Sequence, residues 1–384
     1  MSEYQYYEFQ TIDGLLSAAQ QAELRKISKR VELSASRAAF NYAYGDFPRT
    51  PLKVLEDYFD AMLYIANWGT KQFALRLPKG AVNAEQLQPY LLGDEEGFVS
   101  TLQATPEYLL LNFEWHEEGG FGWIEGEGML GPLLPLRDAI MRGDRRALYL
   151  FWLCCANQSA AWSEPEDLVE PPVPPGLGQL DAALQAFIEF FAIDQDLIAA
   201  AATASPELKV QQEPLAAWVP LLPEAERNAF LVDVACGATH VGPRLLQRLR
   251  EVGGAQGPVA TTTSRTFADI QADVAQIREL RLQRERAAAE QERRAKQTAA
   301  EQSRRAKLEA LAQREDAAWA RIPALLATRT ASGYQEGVAL LADLRDLAVQ
   351  HGQRAAFDAK LAPIIAPYAT SAALQRRLRQ HSLV

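Results

Sequence analysis

The chain has 384 residues, of which 48% are hydrophobic and 23% are charged, and its formal net charge is −10. This apolar content excludes a disordered chain, and the length is sufficient for two or three domains with their own cores. The acidic balance disfavours nucleic acid as the main ligand. The three cysteines, Cys154, Cys155 and Cys236, have no metal-ligand spacing, which predicts a reducing compartment.

The charge is distributed unevenly along the chain. Residues 1–253 carry a net charge of −16, whereas residues 254–384 carry +6. The positive part could therefore lie against the acidic part, an acidic partner or a phosphate backbone. The first residues lack a signal-peptide pattern, and no window of 18 apolar residues is free of charge. The sequence thus predicts a cytoplasmic protein without a membrane span.

Residues 1–163 predict a domain of mixed α and β structure. Ser17 and Gln20 open a helix, and Pro51 occupies the first turn of a strongly amphipathic helix that Gly69 ends. The expected strands cover 4–12, 72–77 and 108–116, and the expected helices cover 17–29, 51–69, 83–91, 133–141 and 145–157. The strand 108–116 is expected to form a hairpin with residues 121–125.

Prolines and glycines then divide the chain. Residues 164–178 contain five prolines and two glycines, a composition that predicts an extended, polyproline-like linker. Residues 179–253 form a series of apolar-faced helical segments and predict a helical domain. A second linker, rich in glycine and threonine, is predicted over 254–263.

Residues 264–322 predict a long helical arm. The sequence EQERRAK at 290–296 returns as EQSRRAK at 301–307, a period of eleven residues that corresponds to about three helical turns. Alanines follow the same period and form a narrow, weakly apolar stripe. Thr266 and Asp269 have the spacing of a capping box with Asp in place of Glu, which predicts the start of the arm.

The first turns of the arm carry its largest apolar side chains. Phe267, Ile270, Val274 and Ile277 follow the three-four-three spacing of a coiled-coil seam. We therefore predict these four residues as an interaction surface for another protein or for a second copy of the chain, which would make a homodimer.

Two alternatives for the arm remain open. A solvated single helix would be stabilised by pairs four residues apart, such as Glu290 with Arg294 and Glu301 with Arg305. A nucleic-acid-binding arm would use its basic side chains, but interleaved glutamates weaken their field, and no aromatic residue lies between Phe267 and Trp319 for base stacking. The basic residues in question are Arg293, Arg294, Lys296, Arg304, Arg305 and Lys307.

Residues 323–384 predict a C-terminal helical hairpin of tetratricopeptide-like type. Pro323 is expected to break or kink the arm. Tyr334 and Leu341 belong to an apolar helix face that a single hairpin cannot bury alone, so both residues are predicted interaction positions.

Residues with catalytic or metal-binding chemistry are few. Strand alternation places Glu114 and His116 on one face of the predicted hairpin, opposite Glu125, and this set could hold a divalent metal or act as an acid and base. A solvated, charged sheet edge explains the same residues. The sequence GEGMLG at 126–131 matches the dinucleotide-binding fingerprint, but no second parallel strand with an acidic residue follows it, so no cofactor is predicted.

Several segments resemble a family of bacterial cytosolic proteins for which no activity is established. The similar segments are YYEFQTID at 6–13, YFDA at 58–61, ANWGT at 66–70, LRLP at 75–78, VEPPVPPGL at 169–177 and, near the C-terminus, residues 318–319, 334, 340–341, 343–344 and 377–378. The resemblance implies a bacterial cytosolic protein and transfers no site. Ala369-Thr370 departs from the Lys-Pro that the family pattern usually has near its end.

Taken together, the sequence predicts an α+β protein with a mixed α/β N-terminal domain, a helical middle domain, a charged helical arm and a C-terminal helical hairpin. It favours a non-enzymatic adaptor or scaffold that binds a protein partner, or itself, through residues 264–384. One alternative is a hydrolase or metal-dependent enzyme that uses Glu114 and His116. A second alternative is a nucleic-acid-associated protein that uses the basic arm.

Overall fold

The protein is α+β and divides into two compact units in a computed structural model. Unit 1 is Met1–Leu280 and unit 2 is Arg281–Val384. The structure describes residues 4–43, 45–92, 97–116, 125–160, 168–208, 213–254, 260–261 and 264–384.

Unit 1 contains a seven-stranded sheet in which each pair of neighbouring described strands is antiparallel. The strand order is β2-β3-β1-β4-β5-β7-β6. The strands are β1 (Gln5–Gln10), β2 (Glu32–Leu33), β3 (Arg37–Tyr42), β4 (Ala61–Ala66), β5 (Thr70–Pro78), β6 (Phe98–Ala104) and β7 (Tyr108–His116).

The helices of unit 1 are α1 (Ala18–Ile27), α2 (Pro51–Tyr58), α3 (Pro135–Met141), α4 (Arg146–Ser159), α5 (Ala182–Phe191), α6 (Gln195–Ala202), α7 (Leu215–Trp218), α8 (Glu224–Ala235), α9 (Val241–Gly253) and the first turns of α10 (Phe267–Ala312). Those from α1 to α6 and the start of α10 contribute apolar side chains to the cores on the two faces of the sheet, whereas α7 to α9 contribute none. In β1, Tyr6 belongs to the core under α3 to α6, and Tyr7 and Phe9 belong to a second core under α1 and α2. This alternation follows from the two-residue period of a strand.

Several predicted elements agree with the structure. The strand 108–116 has the bounds of β7, and Ser17 and Gln20 form the expected capping box of α1. Helix α4 is buried over most of its surface, as its nearly continuous apolar sequence predicts. Of the expected hairpin, residues 117–124 lie outside the described residues, and β7 pairs with β5 and β6.

The helix predicted over 51–69 is wrong in its second half. Helix α2 ends at Tyr58, and residues 61–66 form β4. The apolar residues of this segment fit helical spacing, but nearly all of β4 is buried on both faces, and a short apolar run of this kind has no decisive period. The helix predicted over 83–91 is instead two short 3₁₀ helices, Ala84–Gln86 and Gln88–Tyr90, the second of which contains Pro89.

The proline-rich segment predicted as a linker packs within unit 1. Val173 and Leu177 are buried in the same core as the strands and α5. Val173 pairs with Thr261, and Val169 with Thr266, in isolated antiparallel bridges. The described part of this segment, residues 168–178, therefore packs on unit 1, because apolar side chains between the prolines reach its core.

Unit 2 is helical and has its own core. Its elements are the later turns of α10, α11 (Glu315–Ala327), α12 (Ala331–Gln350), α13 (Arg354–Ile365) and α14 (Ala372–Gln380). Pro323 lies inside α11, and the helix boundary falls at residues 313–314, so the arm does not break at Pro323, while the alternative of a kink there stays a prediction. Helices α11 and α12 pack together, while the tetratricopeptide-like arrangement stays a prediction.

A network of charged side chains joins distant parts of unit 1. Arg137 of α3 is 1% exposed and donates to both carboxylate oxygens of Asp13, at 2.9 and 2.5 Å. It also donates to Asp60 Oδ1 at 3.3 Å and to the carbonyl of Arg76 at 2.8 Å. Arg76 Nη2 donates to the same Asp60 oxygen at 3.0 Å. His240, directly before α9, places Nε2 2.8 Å from Asp13.

We expect Arg137→Met to lower the free energy of unfolding by about 3–5 kcal/mol, because it leaves buried carboxylates without their main counter-charge. Urea unfolding at pH 7 measures this difference. Arg142→Met, one residue past the end of the same helix, is the matched control: its side chain is 72% exposed, and we expect a change within about 0.5 kcal/mol. Equal effects of the two substitutions would contradict the role of the network.

The network also predicts a dependence of stability on pH. Burial alone would raise the pKa of the Asp13 carboxyl, but hydrogen bonds from His240 and Arg137 and the charge of Arg137 hold this pKa well below its usual range. A carboxyl group with a depressed folded-state pKa stabilises the fold fully above its unfolded pKa of about 4, and this contribution is lost as pH falls through the folded pKa. The stability difference between wild type and Asp13→Asn should therefore shrink as pH is lowered from 7 to 3. Urea unfolding across this range measures it, and a difference independent of pH would contradict the assignment.

Candidate interaction surface

The residues predicted as a coiled-coil seam lie at the start of α10. Thr266 and Asp269 make the predicted cap: the Thr266 amide donates to Asp269 Oδ2 at 2.8 Å. Phe267 and Ile270 are fully buried in the core of unit 1, and Val274 and Ile277 pack against that core. The ring of Phe267 stands edge-on to Trp152, with 6.2 Å between the ring centroids. These four side chains are thus used within unit 1.

Charged contacts hold the same end of α10. Arg265 donates to both carboxylate oxygens of Glu170, at 3.0 and 2.7 Å, and the Tyr149 hydroxyl donates to Glu170 as well. Burial, then the charge of Glu170, raises the pKa of Tyr149, so this phenol remains a donor. About three turns further along α10, Arg278 contacts Asp194 at 2.8 Å and Asp196 at 3.2 Å. Apolar packing and ion pairs therefore fix the first three turns of α10.

The middle of α10 has a different environment. Every side chain from residue 283 to residue 303 is exposed, and this stretch lies between the half-buried Leu282 and Arg304. Pairs four residues apart run along it, including Arg281 with Glu285 at 3.0 Å and Glu290 with Arg294 at 2.5 Å. Glu301 and Arg305 were expected to pair, but Arg305 contacts Glu309 instead. This part of α10 has the contacts expected of a solvated single helix.

The two interaction positions predicted in the C-terminal part lie in the core of unit 2. Tyr334 is 6% exposed, and Leu341 is fully buried. Leu308 and Leu311 of α10 belong to the same core. Arg304 and Lys307 of α10 both contact Asp343, the latter at 2.6 Å. Tyr334 and Leu341 therefore stabilise the fold of unit 2.

Among the described residues, Glu114, His116 and Glu125 are not grouped as a metal site. Glu114 and His116 share one face of β7, where Gln72 donates to Glu114 at 3.4 Å and Thr70 Oγ1 lies 2.9 Å from His116 Nδ1. Glu125 lies outside the described strands and borders a cavity beside Tyr4 and β3. Within the described ranges, no group of three or more His, Cys, Asp or Glu side chains is arranged to hold a metal ion.

The glycine motif at 126–131 has a packing role. A side chain at Gly126 would come within 2.3 Å of the Tyr6 ring, so glycine is required for the chain to cross this ring. The motif leads into a 3₁₀ turn, Gly131–Leu133, and the described sheet has no parallel strand pair. The strand-turn-helix unit that holds a dinucleotide is therefore not formed here.

Helix α8 carries an exposed apolar surface that the sequence pattern alone does not identify as exposed. None of its twelve residues is buried. Leu231, Val232 and Val234 are 67%, 59% and 62% exposed. Leu231 and Val234, three residues apart, lie on one side of α8, and Val232 lies about 100° around the helix from Leu231. We call these three side chains the α8 apolar face. Single exposed aliphatic residues are ordinary, whereas several close together form a candidate interaction surface.

The surroundings of α8 explain why these side chains stay outside. Residues 213–254 contribute no member to the three apolar cores of the described chain. Their contacts to the rest of unit 1 include His240 with Asp13, and Arg250 Nη1 with the carbonyl of Arg142 at 2.8 Å. The buried apolar residues of this segment, Leu222, Val241 and Leu249, belong to none of these cores, and the side chains of the α8 apolar face remain exposed.

Comparisons with models of protein families, with curated proteins and with solved structures found no match to this chain. Among the described residues, none of the helices combines the length and the apolar character needed to cross a membrane. The geometry of the chain itself is therefore the basis for a functional proposal.

The position of Phe267 gives a direct test of how α10 is used. Phe267→Ala removes a fully buried ring, so we expect it to lower the free energy of unfolding of unit 1 by about 3–5 kcal/mol. Urea unfolding followed by tryptophan fluorescence measures this, since Trp152 contacts the ring. Leu280→Ala, on the same helix with a side chain that is 52% exposed, should change the stability by less than about 0.5 kcal/mol. A dimer that Phe267→Ala converts to monomer with little loss of stability would instead place Phe267 in a seam between chains.

Proposed function

We propose that this protein is a non-enzymatic adaptor, in which the α8 apolar face binds one protein partner and unit 2 provides a second binding surface. The observation that carries the proposal is the exposure of Leu231, Val232 and Val234 on a helix that has no buried residue. Burying apolar area is the main favourable term in protein association, at about 25 cal/mol per Å². The partner at this face is a protein that presents a complementary apolar helix or groove.

The surface of unit 2 differs in chemistry and supports a second partner. Helix α14 buries Leu374 and Leu378 and exposes Arg376 and Arg379 beside a shallow cleft of about 460 Å³. The helix contains no acidic residue to neutralise these arginines. A positive helix face attracts an acidic partner and raises its association rate. An apolar face in unit 1 and a basic face in unit 2 would let the protein bind two different partners.

Helix α10 contributes to both units through its ends. Its first turns lie in the core of unit 1, and Leu308 and Leu311 lie in the core of unit 2. Because Phe267, Ile270 and Arg265 stabilise unit 1, a chain that stops at residue 253 would lose part of the unit 1 core. Binding is therefore tested with substitutions in the full-length protein.

We expect the double variant Leu231→Glu/Val234→Glu to no longer bind the protein partner of the α8 apolar face. Both side chains are more than half exposed, so the fold should be retained, whereas two carboxylates in an apolar interface carry a desolvation cost. A photoreactive amino acid at position 232 is used to capture the bound protein from native cell extract, and the captured protein is identified by mass spectrometry. We expect at least tenfold less of this protein with the double variant, with an unchanged thermal unfolding curve.

Val349→Glu is the matched control for this experiment. Val349 is 57% exposed but lies alone on α12 in unit 2. Capture through position 232 should be unaffected by it. Light scattering of the same samples shows whether the partner is a second copy of the chain. Equal capture by wild type and by the double variant would contradict the proposal.

A further inference from the structure

A cleft of about 460 Å³ lies on the sheet of unit 1, over β1 and β3. Tyr6 of β1 is paired with Asn41 of β3, and Ala39 is paired with Glu32 of β2. Residues that lie directly opposite each other in a sheet point to the same face, so these side chains share one face. All four line the cleft, and Tyr4 lines it from the start of β1. We call it the Tyr4 cleft.

The segment 125–127 forms one wall of the Tyr4 cleft. Gly126 crosses the Tyr6 ring, and its amide donates to the Tyr4 hydroxyl at 3.3 Å. Glu125 and Glu127, on either side of Gly126, are exposed and line the cleft. The contacts of Gly126 with the two tyrosines therefore hold two carboxylates at this wall.

Carboxylates outnumber guanidinium groups around the Tyr4 cleft. Arg37 lies beside it, but its Nε donates to the buried carboxylate of Glu8 at 2.7 Å, and its Nη1 lies 3.8 Å from Glu32. Burial raises the pKa of Tyr4, and the charges of nearby carboxylates raise it further. The carboxylates that line the cleft are Glu32, Glu125 and Glu127, and the guanidinium that lines it is that of Arg30. The electrostatic field of the cleft therefore favours a cation.

The arrangement of the carboxylates favours an organic cation over a metal ion. Glu32 belongs to β2, whereas Glu127 belongs to the opposite wall. Among the described residues, these carboxylates form no group that could hold a metal ion. A long basic side chain has a charged head that can lie between separate carboxylates and an apolar stem that can pack against an aromatic ring. The Tyr4 ring offers such a surface in the cleft.

The Tyr4 cleft lies beside an open edge of the sheet. Strand β2 is two residues long and pairs only with Ala38 and Ala39 of β3. Among the described residues, no strand pairs with Phe40, Asn41 or Tyr42 on that side of β3. The outer edge of β3 is therefore only partly covered.

The backbone of Asn41 points to this open edge. The N–H and C=O groups of alternate residues in a strand point to the same neighbour. The Ser34 amide donates to the carbonyl of Arg37 at 2.8 Å, so Arg37 faces the β2 side. Ala39 and Asn41 face the same side by alternation. Asn41 is exposed, and within the described part of the chain its outward N–H and C=O have no hydrogen bond.

A strand added at this edge would satisfy both groups of Asn41, which is how extended peptides bind to sheet edges. The residue of the added strand opposite Asn41 would point its side chain to the face that carries Glu32 and the Tyr4 cleft. Side chains two residues away in the added strand would point to the same face. Basic residues at alternate positions of the added strand are therefore favoured.

We propose that the open edge of β3 and the Tyr4 cleft together bind an extended, basic segment of a protein partner. Its backbone adds a strand beside Asn41, and an arginine or lysine side chain enters the cleft. Among the described residues, none that lines the cleft belongs to α8. This site is therefore independent of the α8 apolar face.

Fluorescence anisotropy of labelled peptides with the full-length protein tests the charge part of the proposal. The probe is a seven-residue peptide in which arginine alternates with threonine and valine, and glutamate replaces arginine in the control peptide. Glu32→Gln/Glu127→Gln removes two exposed carboxylates of the cleft, and Glu85→Gln/Glu107→Gln makes the same change of charge at exposed positions outside it. We expect saturable binding of the arginine peptide alone, weakened at least tenfold by the first pair of substitutions and unchanged by the second.

The backbone part is tested with Asn41→Pro and with an arginine peptide that carries N-methyl groups on its amides. Proline removes the outward N–H of Asn41, and strands tolerate proline where this group faces solvent. We expect each change to weaken binding at least tenfold. The unfolding curve of Asn41→Pro shows whether the fold is retained, and the methylated peptide is measured with the unaltered protein, so its result does not depend on the variant.

L-arginine and spermidine serve as free organic cations in the same assay, by competition with the labelled peptide. No saturable binding of the arginine peptide would overturn the site, as would equal losses from the two pairs of glutamine substitutions. Binding that N-methylation leaves unchanged, with spermidine or L-arginine binding as tightly as the peptide, would overturn the assignment of an added strand.

Discussion

The buried guanidinium of Arg137 is the contact on which the organisation of unit 1 depends. A fully buried cation is costly to desolvate, and only well-placed carboxylates and carbonyls offset this cost. Arg137 obtains them from Asp13 after β1, from Asp60 before β4 and from the backbone of β5. Arg137 can bind Asp13, Asp60 and the carbonyl of Arg76 together only if α3 lies at the end of the sheet where these three groups meet. The network therefore fixes the relative positions of a helix and three strands, more specifically than apolar packing does.

The sequence predicts local features such as helix caps well, but it does not predict which residues contact each other across long distances in the chain. Capping residues identify the starts of α1 and α10, because Ser17 with Gln20, and Thr266 with Asp269, interact within three residues. Helix α2 ends at Tyr58, two residues before Asp60, and Asp60 pairs with residues far away in the chain. The spacing of apolar residues continues on both sides of Asp60 and predicts one amphipathic helix. The end of α2 could therefore not be predicted from the local pattern.

The same limit applies to the candidate surfaces. The spacing of Phe267, Ile270, Val274 and Ile277 correctly indicates an apolar face, but it contains no information on whether that face meets another chain or unit 1. The proline-rich segment is similar: its composition predicts an extended backbone, while the burial of Val173 and Leu177 depends on the core beneath them. The exposure of the α8 apolar face has no sequence motif, since it results from how residues 213–254 pack in the folded chain.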